Sequence, residues 1–151
     1  MTGPRRLRMI LNWINLTTLV GLLVAVLGRT AIRRGPDGLL VASGYRLAVP
    51  RQRCFTVGNV IVTRRSADWL LADEQADLFR HESRHATQYA FLGLLFFPLY
   101  LLASAWSWLL TGGYGARNLF EQHAGLQAGG YAGTPLRGWV ARLAARFAGS
   151  R

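Results

Sequence analysis

Lysine is absent from this chain; all 18 basic residues are arginine. Acidic groups are few, seven in 151 residues, and three of them are glutamate: Glu74, Glu82 and Glu121. Histidine is as scarce, at His81, His85 and His123. Acid–base or metal chemistry therefore has few residues to draw on, and their positions matter. The single cysteine, Cys54, excludes an intrachain disulfide framework and a multi-cysteine metal site. It sits in the apolar run Cys54-Phe55-Thr56-Val57 and reads as a small hydrophobe. Charged residues are only 17% of the chain against 51% hydrophobic, which excludes a disordered, solvating protein. The length predicts a single core domain.

The net charge of +11 has two usual partners, nucleic acid or an anionic membrane. Nucleic-acid binding needs arginines and aromatics on one surface. Here the arginines flank long apolar stretches, as juxtamembrane charges do, which favours membrane lipid over nucleic acid. Met9 to Leu27 carries no charge and is just long enough to span a bilayer. Asn12, Asn15, Thr17 and Thr18 interrupt its first half. A cleaved signal peptide would need a small-residue cleavage site, and Val26-Leu27-Gly28 is a poor one. Residues 1–28 therefore read as an uncleaved hydrophobic anchor or a membrane-lying helix, and 29–151 as the functional domain. The expected location is the bacterial cytoplasmic membrane. Arginines lie on both sides of the first run, so charge does not choose the side facing the cytoplasm.

Arg29 to Asp37 reads as a basic linker ending in a turn, Arg34-Gly35-Pro36-Asp37-Gly38. Strands are expected at Leu39–Ala42 and at Tyr45–Val49, the second closed by Pro50. Phe55–Val57 and Val60–Thr63 flank Gly58-Asn59 as a hairpin. Ser66 or Asp73 can cap the next element, a helix over Leu70–Tyr89 with Leu71, Leu78, Phe79 and Ala86 at helical spacing. It enters a second charge-free run, Tyr89 to Leu110. Near the end, Trp139, Val140, Leu143 and Phe147 share one helical face and Arg142 and Arg146 another, which suits a membrane surface.

The sharpest feature is His81-Glu82-Ser83-Arg84-His85, an H-E-x-x-H motif inside the expected helix. Residues four apart lie one above the other on a helix, so both imidazoles can reach one zinc ion. Glu82 sits beside them, placed to act on a water held by the metal. Such a site needs a third protein ligand and an open fourth position. The metal lowers the pKa of its water toward ~7, and the glutamate takes the proton as the water attacks a carbonyl.

Phe55 to Gln88 resembles the zincin metallopeptidases, in which a β-hairpin ending in an edge strand precedes the H-E-x-x-H helix. Gln88 extends the match to His81-Glu82-x-x-His85-x-x-Gln88. The downstream Asn118-x-x-Glu121 resembles the gluzincin-like branch, whose third ligand is a glutamate on a later helix. The resemblance implies His81, His85 and Glu121 as zinc ligands, Glu82 as general base, and a peptide or protein substrate. It covers about half the chain. The metzincin pattern is absent, since position 91 is Phe, and no acidic residue follows Glu121 at Ala124-Gly125. The chain is also similar to small membrane-associated proteins of GC-rich bacteria. Among third-ligand candidates Glu121 leads and His123 is the runner-up. Glu74 lies two turns before His81, about 10 Å along the axis, too far to share the ion. Asp77 orients a ligand or solvates the helix start. Tyr114 and Tyr131 are loop tyrosines that pack or stabilise a substrate oxyanion. Asn118 reads as a helix cap or as support for a ligand.

A straight helix over Tyr89–Leu110 would span about 33 Å, a full hydrocarbon core, and part His85 from Glu121. A shared site thus requires that run to break, and Pro98 is the expected break, with two helical pieces folding back. Trp106, Trp108 and Tyr100 suit interface depth. The fold class expected is α+β: a small zincin-like domain with a β-hairpin sheet, the H-E-x-x-H helix and an apolar helical hairpin. Val60–Thr63 is the expected edge for pairing with an extended peptide. The rival reading is a non-catalytic membrane-bound scaffold or interaction protein that keeps the metal-site helix.

Overall fold

The computed structural model describes residues 2–148 and is α+β, with a four-stranded mixed sheet and seven α-helices among those residues. The chain divides into two compact units, Met1–Phe96 and Phe97–Arg151.

In the first unit the elements run α1 (Gly3–Ile14), α2 (Thr17–Leu27), β1 (Ala31–Arg34), β2 (Leu40–Ser43), β3 (Cys54–Val57), β4 (Val60–Thr63), α3 (Ala67–Leu71) and α4 (Ala76–Leu92). The sheet order is β1-β2-β4-β3, with only the β2–β4 pair parallel. The Gly58-Asn59 hairpin forms as its turn chemistry predicts, pairing Val57 with Val60 and Cys54 with Thr63. Gly58 is required twice over. Its φ is +59°, and a Cβ there would lie 2.5 Å from the backbone of Thr17 and Thr18 at the start of α2.

Three strand expectations are corrected. β4 is a central strand between β2 and β3, buried at all four residues, so Val60–Thr63 offers no edge to a peptide. Its Val-Ile-Val run is apolar on both faces because helices cover both. Ile61 joins a core with Leu39, Val41, Leu70 and Ala86, under α3 and α4. Val60 and Val62 join one with Ala25, Ala42 and Tyr45, under α2. Arg29–Asp37 is not wholly a linker, since Ala31–Arg34 pairs with β2 as an edge strand whose side chains are all exposed. Pairing rather than burial holds it, so no apolar alternation marks it. Tyr45–Val49 is not a strand: both sides of β2 are already occupied, and the segment carries the chain out to the far edge. There the Tyr45 hydroxyl donates to Val49 O at 2.7 Å, and the Arg64 guanidinium lies over the Tyr45 ring.

Ile61 is fully buried, so Ile61→Ala is expected to cost about 2–5 kcal/mol. Denaturant unfolding checks this, as a shifted midpoint with unchanged slope.

The first apolar run is two helices bent by 73°, not one rod. The bend is built from its polar residues. Asn12 donates to Asn59 Oδ1 and to Ala86 O, both at 2.9 Å. Asn59 donates to Thr18 Oγ1, Thr17 donates to Asn12 Oδ1, and Asn15 donates to Tyr89 O. Asn12, Asn59, Thr17 and Thr18 are all buried, and this network ties α1 and α2 to the hairpin and α4.

Ser66 caps α3, its Oγ accepting from Trp69 N at 3.2 Å. The helix expected over Leu70–Tyr89 is thus α3, a short 3₁₀ turn at Asp73–Gln75, and α4. Asp77 solvates the α4 start, exposed and paired with Arg80 at 2.6 Å. The break in the second apolar run falls at Gly93, with φ +58°, and not at Pro98. Pro98 is the third residue of the next helix, within the first turn, where a missing N–H has no helical partner to lose.

The second unit holds α5 (Phe96–Thr111), α6 (Leu119–Ala124) and α7 (Gly138–Ala148). α5 is polar inward and apolar outward. Ser104, Ser107 and Thr111 are buried at spacings of three and four, while Phe97, Leu101, Leu102, Trp106, Trp108 and Leu109 are exposed. The buried stripe is fully used: Ser104 Oγ accepts from Asn118, Ser107 Oγ accepts from Arg117 N, and Thr111 donates to Ser107 O. α7 forms at the expected place with Trp139 and Leu143 exposed; the side chain of Phe147 lies outside the described residues.

Candidate metal centre

α4 brings His81 and His85 onto one buried face, as the four-residue spacing requires. Their rings meet edge to face, and the two Nε2 atoms are 3.1 Å apart. Two nitrogens bound tetrahedrally at ~2.0–2.1 Å from one metal ion lie about 3.3 Å apart, so the spacing suits a shared ion. Gln88 lies one turn on, its Oε1 2.8 Å from His85 Nδ1; an amide oxygen only accepts, so a proton on Nδ1 satisfies this contact and leaves Nε2 as the nitrogen for a metal. Phe96 closes the apolar side, its ring 6.1 Å from that of His85 and 4.3 Å from that of Tyr89.

Glu82 is buried beside the pair, 3% exposed. Its Oε2 accepts from Thr56 Oγ1 at 2.6 Å, and the same hydroxyl lies 3.3 Å from the Glu82 carbonyl. Thr56 lies on β3, the edge strand of the sheet that packs on the motif helix. Nothing in the motif points to Thr56, which comes from a separate hairpin far earlier in the chain. The one sequence signal is a threonine within an otherwise apolar strand. Cys54, on the same strand, is buried; desolvation first, with Glu82 adding, pushes its thiol up to about 12. It is inert, as a small core hydrophobe should be. Arg84, inside the motif, is exposed.

In the second unit Glu121 lies on α6, 2% exposed, and accepts a short hydrogen bond from the Tyr100 hydroxyl. Tyr100 thus partners a carboxylate, a role its place in the apolar run did not suggest. Asn118 is the α6 cap, its Oδ1 accepting from Phe120 N at 2.9 Å, while its Nδ2 holds Ser104. His123 is exposed, on the other side of this short helix from Glu121. Tyr114 is exposed and Tyr131 packs on Gly115, where a Cβ would meet the ring at 2.3 Å.

Comparison of the chain with known protein families, with curated proteins and with solved structures finds no match.

Proposed function

We propose that the protein is a membrane-associated, zinc-dependent metallopeptidase of zincin-like, gluzincin-like type, with His81, His85 and Glu121 as metal ligands and Glu82 as general base. The observation that carries this reading is the His81–His85 pair, with Nε2 atoms 3.1 Å apart and His85 Nδ1 2.8 Å from Gln88 Oε1. Glu121, a buried carboxylate on α6, is the proposed third ligand. Two imidazoles and one carboxylate form a donor set used by catalytic zinc. Exposure of His123 argues against it as the third ligand.

When bound, zinc supplies a Lewis acid and water of lowered pKa. Glu82 holds the proton removed in the attack and passes it to the leaving amine. Thr56 keeps the Glu82 carboxylate turned to β3, fixing its rotamer. The edge of β3 can pair with an extended peptide, in place of the central β4. A Thr56→Val variant is expected to keep its metal and lose roughly tenfold in kcat with little change in KM, because it removes positioning and not binding. Steady-state kinetics with metal analysis checks this.

Membrane association is supported by the inverted α5, whose outward face is apolar while its polar groups are satisfied inside. By length and composition the helical residues of Asp73–Thr111 are apolar enough for a bilayer, with 22% of their apolar window buried, and the break at Gly93 lets the run dip into one leaflet instead of spanning. The test of the whole reading is metal content of the purified protein, peptide hydrolysis with and without a chelator, and flotation with vesicles. Less than a tenth of a zinc equivalent after purification without chelators, with none restored on adding zinc, would sink it.

A further inference from the structure

Arg8, on α1, is more than nine-tenths buried, being only 6% exposed. Its guanidinium donates to Ser83 Oγ and to Asp37 O, each at 2.7 Å, and Nε has no partner. Both acceptors are neutral. The carboxylate of Asp37 is held by Arg5 at 2.8 Å. Arg5 and Arg8 against Asp37 leave this cluster at +1, two positive charges and one negative. A buried cation without a full counter-charge is unfavourable, and an anion beside it relieves the cost.

Next to the cluster a groove of about 200 Å³ lies between α1 and α4, lined by Arg5 and Arg8 together with Leu7, Leu11, Ala90 and Phe91. Two of its apolar lining residues face water, Phe91 77% exposed and Leu7 55%. An inorganic anion would leave those walls in water. An uncharged lipid would leave Arg8 uncompensated. Both the buried cation and the apolar lining are satisfied by an amphiphile with an anionic head.

We propose that this groove holds one anionic phospholipid, its phosphate at Arg5 and Arg8 and an acyl chain along Leu7, Leu11, Ala90 and Phe91. The inference rests on the membrane reading above and is independent of the metal. Because Arg8 also bonds Ser83, inside the H-E-x-x-H segment, the lipid would sit against the back of the metal-site helix.

The test is native mass spectrometry of the full chain in mild detergent, incubated with phosphatidylglycerol, phosphatidylcholine or inorganic phosphate, alongside flotation with vesicles of the two lipids. One phosphatidylglycerol per chain is expected, with phosphatidylcholine and phosphate at least ~10-fold weaker. Arg8→Gln should lose about tenfold in affinity for phosphatidylglycerol, whereas Arg6→Gln, the same charge loss at an exposed site, should change it less than about twofold. Ala90→Leu, which fills the groove and keeps every charge, should also lose the lipid; it decides the matter if Arg8→Gln unfolds by circular dichroism. Equal losses from Arg6→Gln and Arg8→Gln, or retention of lipid by Ala90→Leu, would show diffuse attraction and overturn the groove. Phosphate binding as tightly as phosphatidylglycerol would make it a plain anion site and overturn it too. Wild type that floats with neither vesicle sinks the membrane reading and the groove with it; flotation without a one-to-one lipid sinks the groove alone.

Discussion

Glu82→Gln is expected to bind zinc as wild type does and to lose peptide hydrolysis by roughly 10²–10⁴-fold, the usual worth of a positioned general base. The substitution is close to isosteric. The amide oxygen can still accept from Thr56, so the 2.6 Å contact and the helix should survive. What disappears is a group able to take a proton. The result separates the two readings of the chain. A peptidase that binds metal and falls silent in this variant uses Glu82 chemically. A protein that shows equal, background hydrolysis in both forms is the scaffold. The measurement is kcat/KM on a peptide library, with zinc content determined on the same preparations, so that a lost ion is not mistaken for a lost base.

The second large effect concerns the ligands. His81→Ala and His85→Ala are each expected to lower zinc affinity by more than ~100-fold, beyond the 10–100-fold typical of groups that only support a ligand. Gln88→Leu belongs to that supporting class and should fall within it, since it frees the His85 ring without removing a donor nitrogen. The informative pair is Glu121→Gln and His123→Gln. With Glu121 as the third ligand, the first loses metal as severely as the histidine variants and the second leaves it unchanged. Competition with a calibrated chelator gives the affinities. Retention of metal in Glu121→Gln together with its loss in His123→Gln would transfer the assignment to His123. No loss in either would leave a two-histidine site without a protein third ligand, and the proposed reaction would lose its basis.

Local features were legible from residue order. The two histidines share a face because the helix repeats every 3.6 residues, and no distant contact is needed to place them. The Gly58-Asn59 hairpin and the Ser66 and Asn118 caps follow in the same way from a few adjacent residues. Asn12, Asn15, Thr17 and Thr18 were visible as a weakness in the first apolar run. Their purpose was not, because their partners lie far along the chain, on the hairpin and on α4.

The inside-out pattern of α5 was hidden for a related reason. Serine and threonine are small and common in apolar helices, and only their partners Asn118 and Arg117 reveal that they face inward. The break at Gly93 was missed because proline carries the stronger rule, yet within the first turn of a helix that rule does not apply.

By itself, the sequence determined the α+β class, the His81–His85 spacing and its helix, the hairpin, and the surplus of apolar surface. Tertiary structure alone decided that Val60–Thr63 is central and Cys54–Val57 an edge. It also decided that Ala31–Arg34 is a strand, that Thr56 holds Glu82, and that Arg8 is buried. Helical faces and tight turns are set by neighbours a few residues apart. Strand order and buried polar pairing are set by which distant segments meet, and periodicity along the chain does not encode that choice.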